Sequence, residues 1–327
     1  MSADSVSVVI AAHNAAGTLS TAIGSVLSQS CPPLEVIIVD DGSTDDTVAV
    51  TEGFGGSVRV ISQPQAGPSA ARNAGIAAAR GRWIAFLDAD DRWHPSKLAL
   101  QLASARRHPK TVLIASDWTR AVPVQSLPML IDEHTITEHD LLVLNRFQTS
   151  TVLLDRDVAM QVGGFDPKLD GAEDWDLWLR TANAGIVAKL ECPLVQYVDR
   201  PDGYSKDLGR VYDAMLLMLQ REFEGRHPSP SNRAIYAWHL LRWAVAFRLA
   251  GEAERTRRCL SDLRRLGLVS AVPCASIRYL VPFLLGRVTR RLRRTGSTMR
   301  FRAGSASGRR KVTVNPAGQS GEDIDMM

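Results

Sequence analysis

Through its first hundred residues the chain alternates short apolar runs with longer amphipathic stretches. Val6-Ser7-Val8-Val9-Ile10-Ala11, Leu34-Glu35-Val36-Ile37-Ile38-Val39, Val58-Arg59-Val60-Ile61 and Trp83-Ile84-Ala85-Phe86-Leu87 read as strands. Between them, residues 18–29 place Leu19, Ala22, Ile23, Val26 and Leu27 on one helical face, Asp46 to Glu52 makes a short helix, and Pro68 to Ala79 makes an Ala-rich helix that stops near Gly81. A further helix opens near Pro95 and continues through Leu102. Strands alternating with helices imply an α/β fold with a mostly parallel sheet and right-handed crossovers.

After Lys110 the pattern loosens. Thr111 to Ala115 and Ser150 to Leu154 read as further strands, Gly163-Gly164-Phe165-Asp166-Pro167 as a turn, and Glu173 to about Asn183 as a helix whose acidic first turn suits the positive end of its dipole. From about Asp207 the chain reads as helical, over roughly 207–224, 231–250 and 252–266. A last helix, about 275–294, carries Ile277, Leu280, Val281, Leu284, Leu285 and Val288 on one stripe and is expected to kink at Pro282. After Gly296 no periodic apolar face remains, and disorder is expected.

The polar residues sharpen this picture where they follow the strands. The run 83–87 stops at Asp88-Ala89-Asp90-Asp91, and the second strand stops at Asp40-Asp41. In open α/β sheets ligands bind beyond the carboxyl ends of the strands. Carboxylates crowded there repel one another, and a hard oxygen-seeking cation, Mg²⁺ or Mn²⁺, relieves the repulsion and brings a phosphate with it. The plainer alternative is that Asp91 or Ser96 caps the following helix.

Composition narrows the function classes. Eleven of the 39 basic residues lie between Arg278 and Lys311, where there is no Asp or Glu, leaving 28 basic residues against 35 acids in the rest of the chain. A basic amphipathic helix at 275–294 suits an anionic membrane surface or, alternatively, docking on its own domain. No reading element accompanies the charge, so nucleic acid is not an expected partner. Cys31, Cys192, Cys259 and Cys274 have no metal-ligand spacing, which points to neither zinc nor a disulfide framework. The expected location is the cytoplasm, with peripheral attachment to the inner face of the cell membrane, because neither a signal sequence nor an unbroken run of about 20 apolar residues is present.

Taken in order, residues 6–14, Val39 to Asp45, Gly67 to Gly75, Phe86 to Asp91, Gly163 to Asp166 and Glu173 to Trp178 resemble an inverting nucleotide-sugar glycosyltransferase of family 2. The resemblance implies the GT-A fold, a Rossmann-like nucleotide-diphospho-sugar transferase domain at 1–205, followed by a helical region at 206–295 and a tail at 296–327. It also implies site roles. Ala11, His13, Asn14, Asp41 and Arg72 would contact the donor nucleotide, with His13 where the family more often has Tyr. Asp88 would face the ribose, Asp90 the metal, and Asp174 would be the base, with Glu173 and Trp175 as candidate acceptor contacts. Asp91 and Asp176 are read as structural.

The implied reaction is transfer of one sugar, from a UDP-sugar, to a glycan or glycolipid of a bacterial envelope. Two other readings stand beside it: a processive polysaccharide synthase and a sugar-nucleotide-binding protein without transfer activity. His239-Leu240-Leu241-Arg242-Trp243 resembles the Gln-x-x-Arg-Trp motif of processive members with His in place of Gln. The preferred expectation there is a packed Trp and an exposed Arg.

Overall fold

The structure is a computed structural model and describes residues 3–121, 127–198, 207–223, 229–281 and 310–313. Its strands are β1 (Val6–Ala12), β2 (Glu35–Asp41), β3 (Val58–Gln63), β4 (Trp83–Asp88), β5 (Arg92–Trp93), β6 (Thr111–Thr119), β7 (Leu130–Ile136), β8 (Leu153–Asp155), β9 (Ile186–Gln196) and β10 (Arg310–Thr313). The helices are α1 (Ala16–Leu27), α2 (Thr47–Glu52), α3 (Pro68–Ala78), α4 (Lys97–Arg107), α5 (Glu138–Val143), α6 (Arg156–Gln161), α7 (Glu173–Ala182), α8 (Leu208–Phe223), α9 (Pro230–Leu249), α10 (Ala253–Arg265) and α11 (Val272–Ala275).

One mixed sheet runs β10-β7-β9-β6-β8-β4-β1-β2-β3, with β5 paired to β9. The parallel pairing expected from the strand-helix alternation holds for β3-β2-β1-β4. Beyond β4 the sheet is mixed: β8 lies antiparallel to both β4 and β6, and β7 antiparallel to β9, while β6 and β9 are parallel. The helices between the first four strands supply the long crossovers that parallel neighbours require.

Successive strand residues face opposite sides, so the sheet has two cores. Val8 and Ile10 pack with α1 and α4, whereas Val9, Ile37 and Phe86 pack with α3, α7 and the helices from α8 onward. Tyr212, Met215, Trp238 and Phe247 belong to that second core together with the sheet residues Ile84 and Leu154. Gly75 permits the close approach of α3 to β1, since a Cβ there would lie 2.2 Å from Val9 Cγ1.

Several elements differ from the sequence expectation. The expected strand at 150–154 is a 3₁₀ turn at Thr149–Thr151 followed by the short β8. Strands β7 and β9 and helices α5 and α6 were not anticipated. In β9, Ala188, Leu190, Cys192 and Leu194 are buried while Lys189, Glu191 and Pro193 are not, an alternation that continues through the register shift against β6 at Pro193 and ends where Val195 is buried as well. Of the expected helix at 275–294, residues up to Val281 are helical, Ser276–Leu280 as a π turn, and residues 282–294 lie outside the described residues. Arg310–Thr313, expected to be disordered, pair antiparallel with β7, and the rest of 296–327 lies outside the described residues.

Candidate active site

The parallel strands bring their carboxyl ends to one edge. Their register sets Ala11 beside Asp88, Ala12 beside Asp40, and Asp41 beside Gln63. The loops after β1 and β2 are laced together. Asn14, in the left-handed region at φ 49°, accepts from the Thr44 amide (2.8 Å) and donates its own amide to Ser43 Oγ (2.9 Å). His13 is exposed, with Nδ1 2.9 Å from the Asp41 carbonyl and Nε2 within 3.3 Å of the Asn14 and Gln65 side-chain amides. This pattern fits the tautomer with its proton on Nδ1.

The Asp41 carboxylate is buried and accepts three hydrogen bonds from the chain: Gln63 Nε2 at 2.7 Å, and the Ala66 and Gly67 amides at 2.9 and 2.8 Å. Gly67 takes φ 90°, which turns its amide toward Asp41 at the start of α3. A carboxylate has about four acceptor positions. Asp41 therefore anchors the loop before α3 and keeps room for one more donor.

Arg72, in the second turn of α3, is buried and bridges two acids. Its Nη2 donates to Asp88 Oδ1 (2.8 Å) and its Nη1 to Glu173 Oε1 (3.2 Å), with the Phe165 ring centroid 5.3 Å from the guanidinium carbon. Burial opposes its charge, but Asp88 and Glu173 outweigh that and raise its pKa above the ordinary guanidinium value. Asn73 exchanges two 2.8 Å hydrogen bonds with the backbone of Phe165. The Arg72-Asn73 pair thus holds the Gly163-Gly164-Phe165-Asp166 turn against α3.

At the end of β4, Asp88 and Asp90 are half-buried and Asp91 is fully buried. Ser150 Oγ accepts the Asp88 amide (3.0 Å) and donates to Asp91 Oδ2 (2.6 Å), while Asp91 Oδ1 accepts the Val198 amide (3.0 Å). Burial, then repulsion from Asp88 and Asp90, pushes Asp91 up to about 8. Asp91 is structural, as expected, and its repulsion registers the negative charge crowded at this turn. Among the described residues no cluster of three or more His, Cys, Asp or Glu side chains stands ready to cage a cation. One or two carboxylates at a strand edge instead fit a Mg²⁺-type ion that shares its coordination with substrate phosphates.

Asp174 opens α7 together with Glu173. It is half-buried, its Oδ2 accepts from Asn145 Nδ2 (3.2 Å), and its Oδ1 takes the Trp175 amide (2.5 Å). Burial and then the charge of Glu173 push Asp174 up to about 7, against the opposing pull of the Trp175 amide, Arg72 and Asn145. A carboxyl group poised near neutrality is suited to take a proton.

Three expectations change. Glu173 is buried and spends its oxygens on Arg72 and the Gly171 amide (2.8 Å), so it is a tie to α3 and not an open acceptor contact. Trp175 is 5% exposed and donates to the Leu141 carbonyl (2.6 Å), facing the α5–α9 junction instead of the open edge. Arg242 is not exposed: its guanidinium lies 5.5 Å from the Trp175 ring and 5.7 Å from the Trp243 ring, and burial lowers it to about 10. Trp243 packs in the core, as expected. Asp176 pairs with Arg180, which also donates to the Gly164 carbonyl (2.7 Å). Ser150, Asn145 and Phe165 contribute to the site without having been singled out. Phe165 lies inside a noted motif, while nothing local distinguishes Ser150 or Asn145.

Residues 7–125 match the family model described as "Glycosyl transferase family 2". The chain is 27% identical over 269 residues to the amylovoran biosynthesis glycosyltransferase AmsB of Erwinia amylovora, covering 76% of this chain and 86% of that protein. It is 32% identical over 186 residues to the UDP-Glc:alpha-D-GlcNAc-diphosphoundecaprenol beta-1,3-glucosyltransferase WfaP of Escherichia coli, covering 56% of this chain and 72% of that protein. Among solved structures, S. aureus TarS 1–349 in complex with UDP-GlcNAc superimposes with a TM-score of 0.64 at 20% identity, covering 82% of each chain.

Proposed function

The chain belongs to glycosyltransferase family 2, and from that premise we propose that it transfers a single sugar, with inversion, from a UDP-sugar to a hydroxyl of a glycan or lipid-linked acceptor in bacterial envelope biosynthesis. WfaP, by its name, uses UDP-glucose and a diphosphoundecaprenol-linked acceptor, which supports this choice of donor and acceptor class. The observation that carries the reading is the Arg72 bridge, because one guanidinium joins Asp88 of the donor edge to Glu173 beside the base.

In this reading Asp174 accepts the proton of the acceptor hydroxyl as its oxygen attacks the anomeric carbon. The bond from that carbon to the diphosphate breaks, and the electron pair leaves with the nucleoside diphosphate. Asp41 receives an N–H of the base through its remaining acceptor position, the exposed His13 ring lies beside the base with Asn14 and Ala11, and Asp88 faces the ribose. Asp90 would hold Mn²⁺ or Mg²⁺, which when bound takes up the negative charge developing on the diphosphate. Residues 1–205 form the catalytic domain and 206–295 shape the acceptor side. The basic segment within 275–294 attaches the enzyme to anionic lipid on the inner face of the membrane.

A panel of UDP-, GDP- and dTDP-sugars, followed by release of the nucleoside diphosphate with and without Mn²⁺, tests this directly. Release from a UDP-sugar that needs Mn²⁺ and disappears in Asp90→Asn is the expected result. Calorimetric binding of UDP that is equal with and without Mn²⁺ would remove the metal role of Asp90.

A further inference from the structure

Both ends of the six-residue α5 are closed by side chains. At its start Thr137 and Asp140 form a capping box, with the Asp140 amide 3.1 Å from Thr137 Oγ1. At its end three consecutive carbonyls accept ring N–H groups from other helices. Leu141 takes Trp175 Nε1 of α7 (2.6 Å), Leu142 takes His239 Nε2 of α9 (2.7 Å), and Val143 takes Trp238 Nε1 of α9 (2.8 Å). The last carbonyls of a helix have no partner inside it, so these rings supply what the short helix cannot. Trp238 and His239 are themselves buried, and burial together with nearby Arg242 keeps His239 neutral. The chain then turns extended at Leu144 and delivers Asn145, whose Nδ2 donates to Asp174 Oδ2.

We infer that Asn145 is a positioning residue for Asp174, and that Trp238 and His239 of α9 hold Asn145 in place through the carbonyl end of α5. The inference rests on Asp174 being the base. The Asn145 amide fixes the rotation of the carboxylate and favours its ionised form, because an N–H donor stabilises the charged oxygen. The charged groups facing Asp174 are Glu173 on its own helix and Arg72 from α3, and Arg242 of α9 stands over the adjacent Trp175 ring. The histidine at 239 thereby acquires a role. Its N–H donates to the Leu142 carbonyl, and a glutamine side chain carries an N–H donor as well, whereas leucine offers none.

The test is ¹³C-carboxylate NMR of the full chain, with the Asp174 signal identified by its loss in Asp174→Asn and followed through neutral pH. Asn145→Ala is expected to raise the Asp174 midpoint by about one pH unit, the size of one lost hydrogen bond to a charged group. His239→Leu shifts it in the same direction, and His239→Gln keeps the wild-type value. Asn145→Asp, which sets a second carboxylate against the first, raises it further and stays informative where His239→Leu does not fold. A folded Asn145→Ala with an unmoved midpoint overturns the positioning role, and equal shifts in His239→Gln and His239→Leu overturn the link to α9. Full transfer activity in Asp174→Asn would instead overturn the base assignment while leaving these midpoints as they are.

Discussion

Arg72 satisfies two carboxylates at once, a task for which the guanidinium fork is shaped and an ammonium is not. Arg72→Lys is therefore expected to lose one of the two contacts and to lower transfer more than tenfold. Arg72→Met leaves buried Glu173 without its cation, a loss of about 3 kcal/mol measurable by denaturant unfolding. Asp174 carries a cost of its own. Its pKa in the fold is about 7, above the ordinary carboxylate value near 4. The folded state thus binds the proton more tightly, and stability falls as pH rises from about 4 through about 7. Asp174→Asn removes that penalty, so its melting temperature is expected to exceed wild type at about pH 8 and to match it at about pH 4. Equal melting temperatures at both pH values would show that Asp174 ionises without strain.

Between elements, Ser150 is the joint of the acidic turn, since one hydroxyl accepts from the Asp88 amide and donates to Asp91. Ser150→Ala should release the end of β4 and weaken Mn²⁺-dependent UDP binding about tenfold by calorimetry, with little effect on UDP binding without metal. Such joints mark the limit of what local sequence carries. The strands, helices and acidic ends up to residue 91 were legible because each rests on neighbours in sequence: an apolar run, a turn residue, a helical stripe. Asp174 was legible as the first turn of an acidic helix. The direction of its neighbours was not. Glu173 turns to Arg72, a hundred residues away, and Trp175 turns to a carbonyl of α5, a helix too short to announce itself by periodicity. Arg242 reads as exposed because it is charged, but its helical neighbours Ile235, Trp238, Val245 and Leu249 are apolar, and α9 sets its guanidinium against Trp175 and Met215.

At the scale of the whole molecule, the helices from α8 onward share one core with the face of the sheet that carries α3 and α7. A helical region built this way is continuous with the core of the sheet. Among the described residues no helix is long and apolar enough to cross a membrane. The membrane reading therefore rests on the basic amphipathic segment at 275–294. Truncation after Val281 is expected to abolish sedimentation with phosphatidylglycerol vesicles, and unchanged sedimentation would remove that attachment. The sheet-side and helical parts of the molecule meet at Asp174, which α3 approaches through Arg72 and α9 through α5 and Asn145. The most direct measurement is the pH dependence of transfer at saturating donor, for wild type and Asp174→Asn. The wild-type rate is expected to climb about tenfold per pH unit and level off near 7, and the variant to be slower by about a thousandfold with no such limb. A variant that keeps the wild-type rate, or the same acid limb, would contradict the assignment of Asp174 as the base.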